Sequence, residues 1–227
     1  MIPRLTYQLS FPNPLLHTSE EGIVAYGGDL SPSRLMLAYR MGIFPWYSIN
    51  DPILWWSPDP RLILELGDFK LSRSLRKKIS QFEIRFDSAF SEVIRECATA
   101  PRRGQNGSWI VPEMIEAYEN LHALGYAHSV EAYHNGALVG GLYGVSLGKV
   151  FCGESMFAKV SDASKVALAV LVEYLKRREF DFIDCQVPTV HLKSLGAKEI
   201  SRSVFLERLA KTSIVSSEEP PWNLGNI

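Results

Sequence analysis

Cysteine is scarce in this chain: only Cys97, Cys152 and Cys185 occur among 227 residues. An odd number, with no C-x-x-C pair and no spaced Cys/His set, argues against a disulfide framework or a structural zinc, and it points to a reducing, cytoplasmic compartment. Net charge is nearly absent as well. With 24 basic and 25 acidic residues the formal charge is -1, which excludes a nucleic-acid coat over the whole surface but leaves room for a local basic face. No apolar run approaches the ~20 residues of a membrane span. The opening MIPRLTYQLSFPNP lacks the basic-then-apolar order of a signal peptide. His17, His122, His128, His134 and His191 have no metal-ligand spacing, so no metal is expected. Repeats and low-complexity tracts are missing too. What remains is an ordinary soluble composition, 46% hydrophobic and 22% charged, with no membrane partner expected.

Two textures divide the chain near residue 62, and a small N-terminal domain (1–62) followed by a larger catalytic domain (63–227) is expected. The first part is rich in Pro, Gly and Trp. Its clearest helix has Ser31 as N-cap, Pro32 at the first position and Gly42 after its end. The stretch GIFPWYSINDPILWWSPDPR is interrupted by proline and reads as a rigid loop rather than a sheet. The second part alternates regular elements. LILEL and FEIRF read as strands, LSRSLRKKIS as a basic helix, and SAFSEVIRECA and PEMIEAYENLHAL as amphipathic helices. HSVEAYH, ALVGGLYGVSL and KVFCGESMF form an antiparallel meander whose first turn is Asn135-Gly136, the strongest short hairpin signal. SDASKVALAVLVEYLKRR is a buried helix, EFDFIDCQV a returning strand, HLKSLGA a short helix, and SVFLERLAKT a last helix before a polar, fraying tail.

The class is therefore α+β, with a mixed, largely antiparallel sheet. Meander, helix and returning strand resemble the acetyltransferase (GNAT) core. Enzymes of that superfamily bind the coenzyme A pyrophosphate on a glycine-rich turn at a helix N-terminus. The corresponding AKVSDASK has no glycine and carries Asp162, so no coenzyme A and no other cofactor is expected.

Chemistry is sought where acids interrupt apolar strands, because an unpartnered buried carboxylate is costly. VFCGESMF carries Glu154, and FIDCQV carries Asp184 and Gln186 on one face of a strand, with Ile183 and Cys185 on the other. Competing structural readings are an edge strand for Asp184, a cross-strand pair with Lys149 or Lys159 for Glu154, and small buried hydrophobes for Cys152 and Cys185. Trp46, Trp55, Trp56 and Trp109 lie on Pro- or Gly-flanked segments, which suits either core packing or stacking on bases. Lys70, Arg73, Arg76, Lys77 and Lys78 make either a solvated helix face or a stripe that meets phosphates.

GGDLSPSRLMLAYRMGIFPW, WWSPDPR, GSWI, AHSVEAY, GGLYGV, FCGESMF, ASKVAL, FIDCQV and HLKSLGA occur in this order and resemble the leucyl/phenylalanyl-tRNA–protein transferase family. The resemblance implies transfer of leucine or phenylalanine, and weakly methionine, from aminoacyl-tRNA to proteins beginning with arginine or lysine, which marks them for degradation. It implies catalytic roles for Asp184, Gln186 and Glu154. It places the terminal adenosine of the tRNA on Trp46 and Trp109, with Tyr118 also touching substrate, and the transferred side chain among Leu142, Phe151, Leu171 and Ile183. Arg73, Arg76, Lys77 and Lys78 become contacts to the tRNA backbone, and a monomer is expected. A coenzyme A-dependent acetyltransferase and a non-catalytic RNA-binding module are the competing functional classes.

Overall fold

Residues 1–101, 109–212 and 222 are described by the computed structural model. Strands β1 (Arg4–Leu5), β2 (Ile23–Gly27), β3 (Phe44–Pro45) and β4 (Leu54–Trp56) form a four-stranded sheet in the order β1-β2-β4-β3. The proline-interrupted stretch thus contributes two strands where a loop was expected. Pro45 is tolerated because β3 is the sheet's outer strand, and β4 lies between the prolines at 52 and 58. Helix α1 (Pro32–Arg40) starts as expected after Ser31, but the Ser31 side chain makes no cap bond. Asp29 accepts the Ser31 amide and the Arg34 Nε–H instead.

The second sheet has seven strands: β5 (Arg61–Glu65), β6 (Glu83–Phe86), β7 (Ala127–His134), β8 (Ala137–Leu147), β9 (Val150–Ala158), β10 (Phe182–Gln186) and β11 (Lys198–Ile200). Their order is β11-β5-β10-β9-β8-β7-β6. Every neighbouring pair is antiparallel except β9 with β10. The change of sheet falls between Trp56 and Arg61, so the boundary expected after residue 62 cuts through β5. The meander turn has both Asn135 and Gly136 at positive φ, 52° and 77°, the geometry that joins twisted antiparallel strands in two residues. The short strand β11 was not anticipated.

Helices α3 (Phe90–Thr99) and α4 (Pro112–Ala123) cover one face of this sheet, and α5 (Ala163–Arg177) covers the other, with α2 (Arg73–Ile79) beside it. The short α6 (Val190–Ser194) and the last helix α7 (Arg202–Thr212) follow β10. The α3/α4 face shares one apolar cluster with the N-terminal sheet, joining Val24, Leu35, Tyr39 and Trp55 to Tyr118, Tyr143 and Cys152. The α5 face has its own cluster, which includes Leu142, Phe151, Leu171, Ile183 and Trp222. The tail expected to fray lies outside the described residues except for Trp222, which is buried. Trp222 is 2% exposed and stacks on His128 at 4.1 Å between ring centroids. Burying so large an aromatic surface outweighs the polar character of its sequence neighbours.

Candidate active site

The parallel ladder between β9 and β10 pairs Phe182 with Val150, Ile183 with Phe151 and Asp184 with Cys152, and it ends there. Just beyond, each strand carries a bulge toward its other neighbour. On β9, Gly153 lies opposite Gly144 and Ser155 opposite Tyr143, so Glu154 is the extra residue. On β10, Asp184 lies opposite Ile63 and Gln186 opposite Leu62, so Cys185 is the extra residue. Bulges re-aim side chains and are common beside active sites. Gly144 makes the first one possible, since a Cβ there would come within 2.6 Å of the Phe151 ring and 2.3 Å of the Cys152 carbonyl oxygen.

Together the two bulges bring Glu154 and Gln186 into contact: Gln186 Nε2 donates to Glu154 Oε1 over 2.7 Å. Tyr39 of α1 donates to the same oxygen at 2.7 Å, and Tyr118 of α4 donates to Oε2 at 3.1 Å. The two tyrosine oxygens also lie within hydrogen-bond distance of each other, so their two protons are shared among three contacts. Tyr39 and Tyr118 are fully buried and Glu154 is 9% exposed. Burial pushes the Glu154 carboxyl up to about 7, against the lowering effect of the three donors. Burial, then the Glu154 charge, raises both tyrosines well above their usual value, so they stay protonated donors. The result is a desolvated acid that exchanges its proton near neutrality.

Asp184 sits in different surroundings. Both its oxygens are taken by Arg61 at the start of β5, through Nε–H to Oδ1 at 2.8 Å and Nη2–H to Oδ2 at 2.6 Å. Oδ1 also accepts the Gln186 backbone N–H at 2.9 Å. Each partner of this ion pair is 1% exposed. β10 is central, between β5 and β9, which disposes of the edge-strand reading. The lysine pairing for Glu154 is also excluded: Lys149 donates to the Arg178 carbonyl and Lys159 to Glu96. Burial drives the thiol pKa of Cys152 and of Cys185 upward, which leaves neither as a ready nucleophile.

The remaining candidate residues divide between the two faces. Leu142, Phe151, Leu171 and Ile183 converge in the α5-side cluster, none more than 3% exposed. Ile183 lies in this cluster, whereas Asp184 and Gln186 reach Arg61 and Glu154, whose neighbours Phe44, Phe205, Tyr39 and Tyr118 belong to the cluster on the other face. The β9–β10 pairing ends at Asp184 and Cys152, just before Glu154 and Gln186. Trp46 and Trp109 are half-buried and border the cluster that holds Tyr39 and Tyr118. Trp46 lies 5.4 Å from Trp56, which donates its indole N–H to the Trp46 carbonyl. Trp55 is fully buried, with its N–H on the Gly27 carbonyl, and belongs to the core. On α2, Arg73, Arg76 and Lys77 are exposed. Lys78 is not free: its Nζ lies 2.5 Å from Asp162, whose pKa falls to about 2 through Lys78 and Lys165.

Tyr39 and Arg61 escaped sequence reasoning. Tyr39 reads as one more apolar position of a helix, and Arg61 as the polar end of WWSPDPR; only the fold takes them to the site. A third strand acid, Glu131, is fully buried as well, but Ser88 and Ser129 hold it. An open cavity of about 400 Å³ between α2, α5 and α6 shares no lining residue with the Glu154 cluster. Among the described residues no helix is long and apolar enough to cross a membrane.

Comparison with known proteins supplies the context. The family model described as Leucyl/phenylalanyl-tRNA protein transferase matches residues 63–210, and that of its N-terminal domain matches residues 28–59. A Leucyl/phenylalanyl-tRNA--protein transferase of Sulfurimonas denitrificans is 61% identical over 94% of this chain and 94% of its own length. One from Syntrophobacter fumaroxidans is 58% identical over 92% and 89%. Among solved structures, a fungal GCN5-related glucosamine N-acetyltransferase region superposes with a TM-score of 0.41 at 14% identity, covering 78% of this chain and 23% of the other.

Proposed function

This chain belongs to the leucyl/phenylalanyl-tRNA protein transferase family, and from that premise we propose that Glu154 and Gln186 join an acceptor amine to an aminoacyl ester held between them and the α5-side pocket. The donor is leucyl- or phenylalanyl-tRNA, its terminal adenosine against Trp46 and Trp109 and its side chain among Leu142, Phe151, Leu171 and Ile183. The observation that carries the reading is the Glu154–Gln186 contact at the point where β9 and β10 part.

The ester is already activated, so the main task is to hold amine and carbonyl in attack geometry. Gln186 commits its amide N–H to Glu154, which leaves the amide oxygen as the end that orients the amine. The amine nitrogen bonds to the ester carbon, and the bond from that carbon to the ribose oxygen breaks. Glu154 takes the proton released from nitrogen and returns it to the departing ribose oxygen, a transfer suited to a carboxyl poised near 7. Tyr118 supports Glu154 through its hydroxyl. Exposed Arg73, Arg76 and Lys77 meet the tRNA backbone.

The acceptor we assign is a protein with N-terminal arginine or lysine, and the product enters N-terminus-dependent degradation. Asp184 is neutralised by Arg61, whereas Glu154 has no cationic partner among the described residues. A cationic acceptor balances it. One chain supplies the entire cluster, which fits a monomer, and charged tRNA as donor fits the cytoplasm. The test is transfer of labelled leucine from charged tRNA to Arg-, Lys- and Ala-initiated peptides. Incorporation into the first two alone is expected; equal use of all three refutes the acceptor assignment, and acetyl-coenzyme A turnover without transfer refutes the reaction.

A further inference from the structure

Gln186 is held in a conformation it does not favour. Its φ is +62°, in the left-handed region that a residue other than glycine seldom occupies. Such strain persists at functional sites only where surrounding bonds over-determine it. Here the bond comes from Asp184 Oδ1, which accepts the Gln186 N–H at 2.9 Å across the bulge. Asp184 is in turn fixed by the planar fork of Arg61, a geometry that lysine cannot reproduce. Arg61 itself has almost no freedom. Its guanidinium lies 4.8 Å from the Phe44 ring and 4.4 Å from the Phe205 ring, and Nη1 donates to the Gly42 carbonyl at 3.1 Å. The strand β3, the helix α7 and the central strand β10 therefore meet on one buried cation.

We propose that Arg61 is a positioning residue that, through Asp184, locks Gln186 in the backbone conformation aiming its amide at the acceptor amine. The proposal rests on the role assigned above to Gln186 and deepens it. Asp184 acts as the arm of this clamp and not as a proton acceptor, because both its oxygens are bound by the Arg61 cation, whereas Glu154 meets only neutral donors. Since Gly42 and Phe44 lie on the segment leading to Trp46, the same cation ties the adenosine-binding end of the N-terminal sheet to the reacting end of β10.

The test compares Arg61→Lys, the apolar double variant Arg61→Met/Asp184→Leu, and Gln186→Ala. The double variant removes both buried charges together, a change that cores commonly tolerate, and Arg61→Lys preserves the charge should the double variant fail to fold. Folding is checked by urea unfolding, and transfer by steady-state kcat and KM for leucyl-tRNA across pH 6 to 9. A clamp predicts kcat lowered by ~10²-fold, the usual scale for misplacing a reacting group by about an ångström. It also predicts a KM for charged tRNA within about twofold of wild type and a pH profile of unchanged shape. Wild-type kcat in either folded Arg61 variant overturns the clamp, as does a profile that loses its low-pH limb in the double variant. Undiminished kcat in Gln186→Ala overturns the role of Gln186 itself, which separates that failure from failure of the clamp alone.

Discussion

Replacing Glu154 by glutamine should remove a pH dependence that the wild-type protein carries into its folding equilibrium. The carboxyl ionises near its ordinary value of 4.5 when the chain is unfolded and at about 7 when folded. Between those values the native state holds a proton that the unfolded chain has lost. Stability therefore falls as pH rises, with a slope approaching about 1.4 kcal/mol per pH unit. The contribution is fully present below 4.5 and gone above 7. Between pH 5 and 8 the loss integrates to about 2.5 kcal/mol, or roughly 5–10 °C in Tm for a chain of this size. Glutamine keeps the shape and cannot titrate, while all other ionisable groups are common to both proteins, so their difference isolates Glu154. Tyr39 and Tyr118, the hydroxyls that face it, are shifted upward and out of the window. Urea unfolding of both proteins at pH 5, 6, 7 and 8 should show Glu154→Gln gaining about 2.5 kcal/mol on wild type across the series. A constant difference would mean that the carboxylate ionises as it does in water. Glu154 would then be no proton acceptor tuned to neutrality, and the mechanism built on it would fall.

Three further outcomes separate surface from core. Reversing Arg73, Arg76 and Lys77 to glutamate should raise KM for charged tRNA and flatten its salt dependence by about one unit of slope per lost phosphate contact, with stability unchanged; equal losses with a minimal aminoacyl-nucleoside donor would make α2 structural. Lys78→Glu should instead lower stability, because it sets two acids together at Asp162. Leu171→Ala should shift relative kcat/KM from leucine toward phenylalanine by ~1–3 kcal/mol of discrimination, and, since Leu171 is fully buried, destabilise the fold by ~2–5 kcal/mol. An unchanged ratio in the folded variant would remove α5 from the substrate pocket.

The elements with a strong local signature were legible in the chain itself. Asn135-Gly136 defines its own turn, Pro32 its own helix start, and the alternation of FDFIDCQ places Asp184 and Gln186 opposite Ile183, because side-chain direction in a strand follows from covalent geometry alone. Polar residues embedded in apolar strands drew attention to Glu154, Asp184 and Gln186, and the ordered motifs carried the family. Tertiary structure decided the rest, where a residue's role depends on a neighbour distant in sequence. Pro45 is compatible with a strand only because β3 lies at an edge, and Trp222 leaves a polar tail only because Phe151, Tyr174 and His128 form a surface to receive it. Alternation likewise cannot foresee a bulge, so neither the meeting of Glu154 with Gln186 nor the left-handed turn at Gln186 could be read beforehand. Above all, sequence singled out Asp184, whereas the fold brings Arg61 to it from 123 positions away. A carboxylate's chemistry is set by whether a cation or only neutral donors face it, and that is a property of the packed molecule.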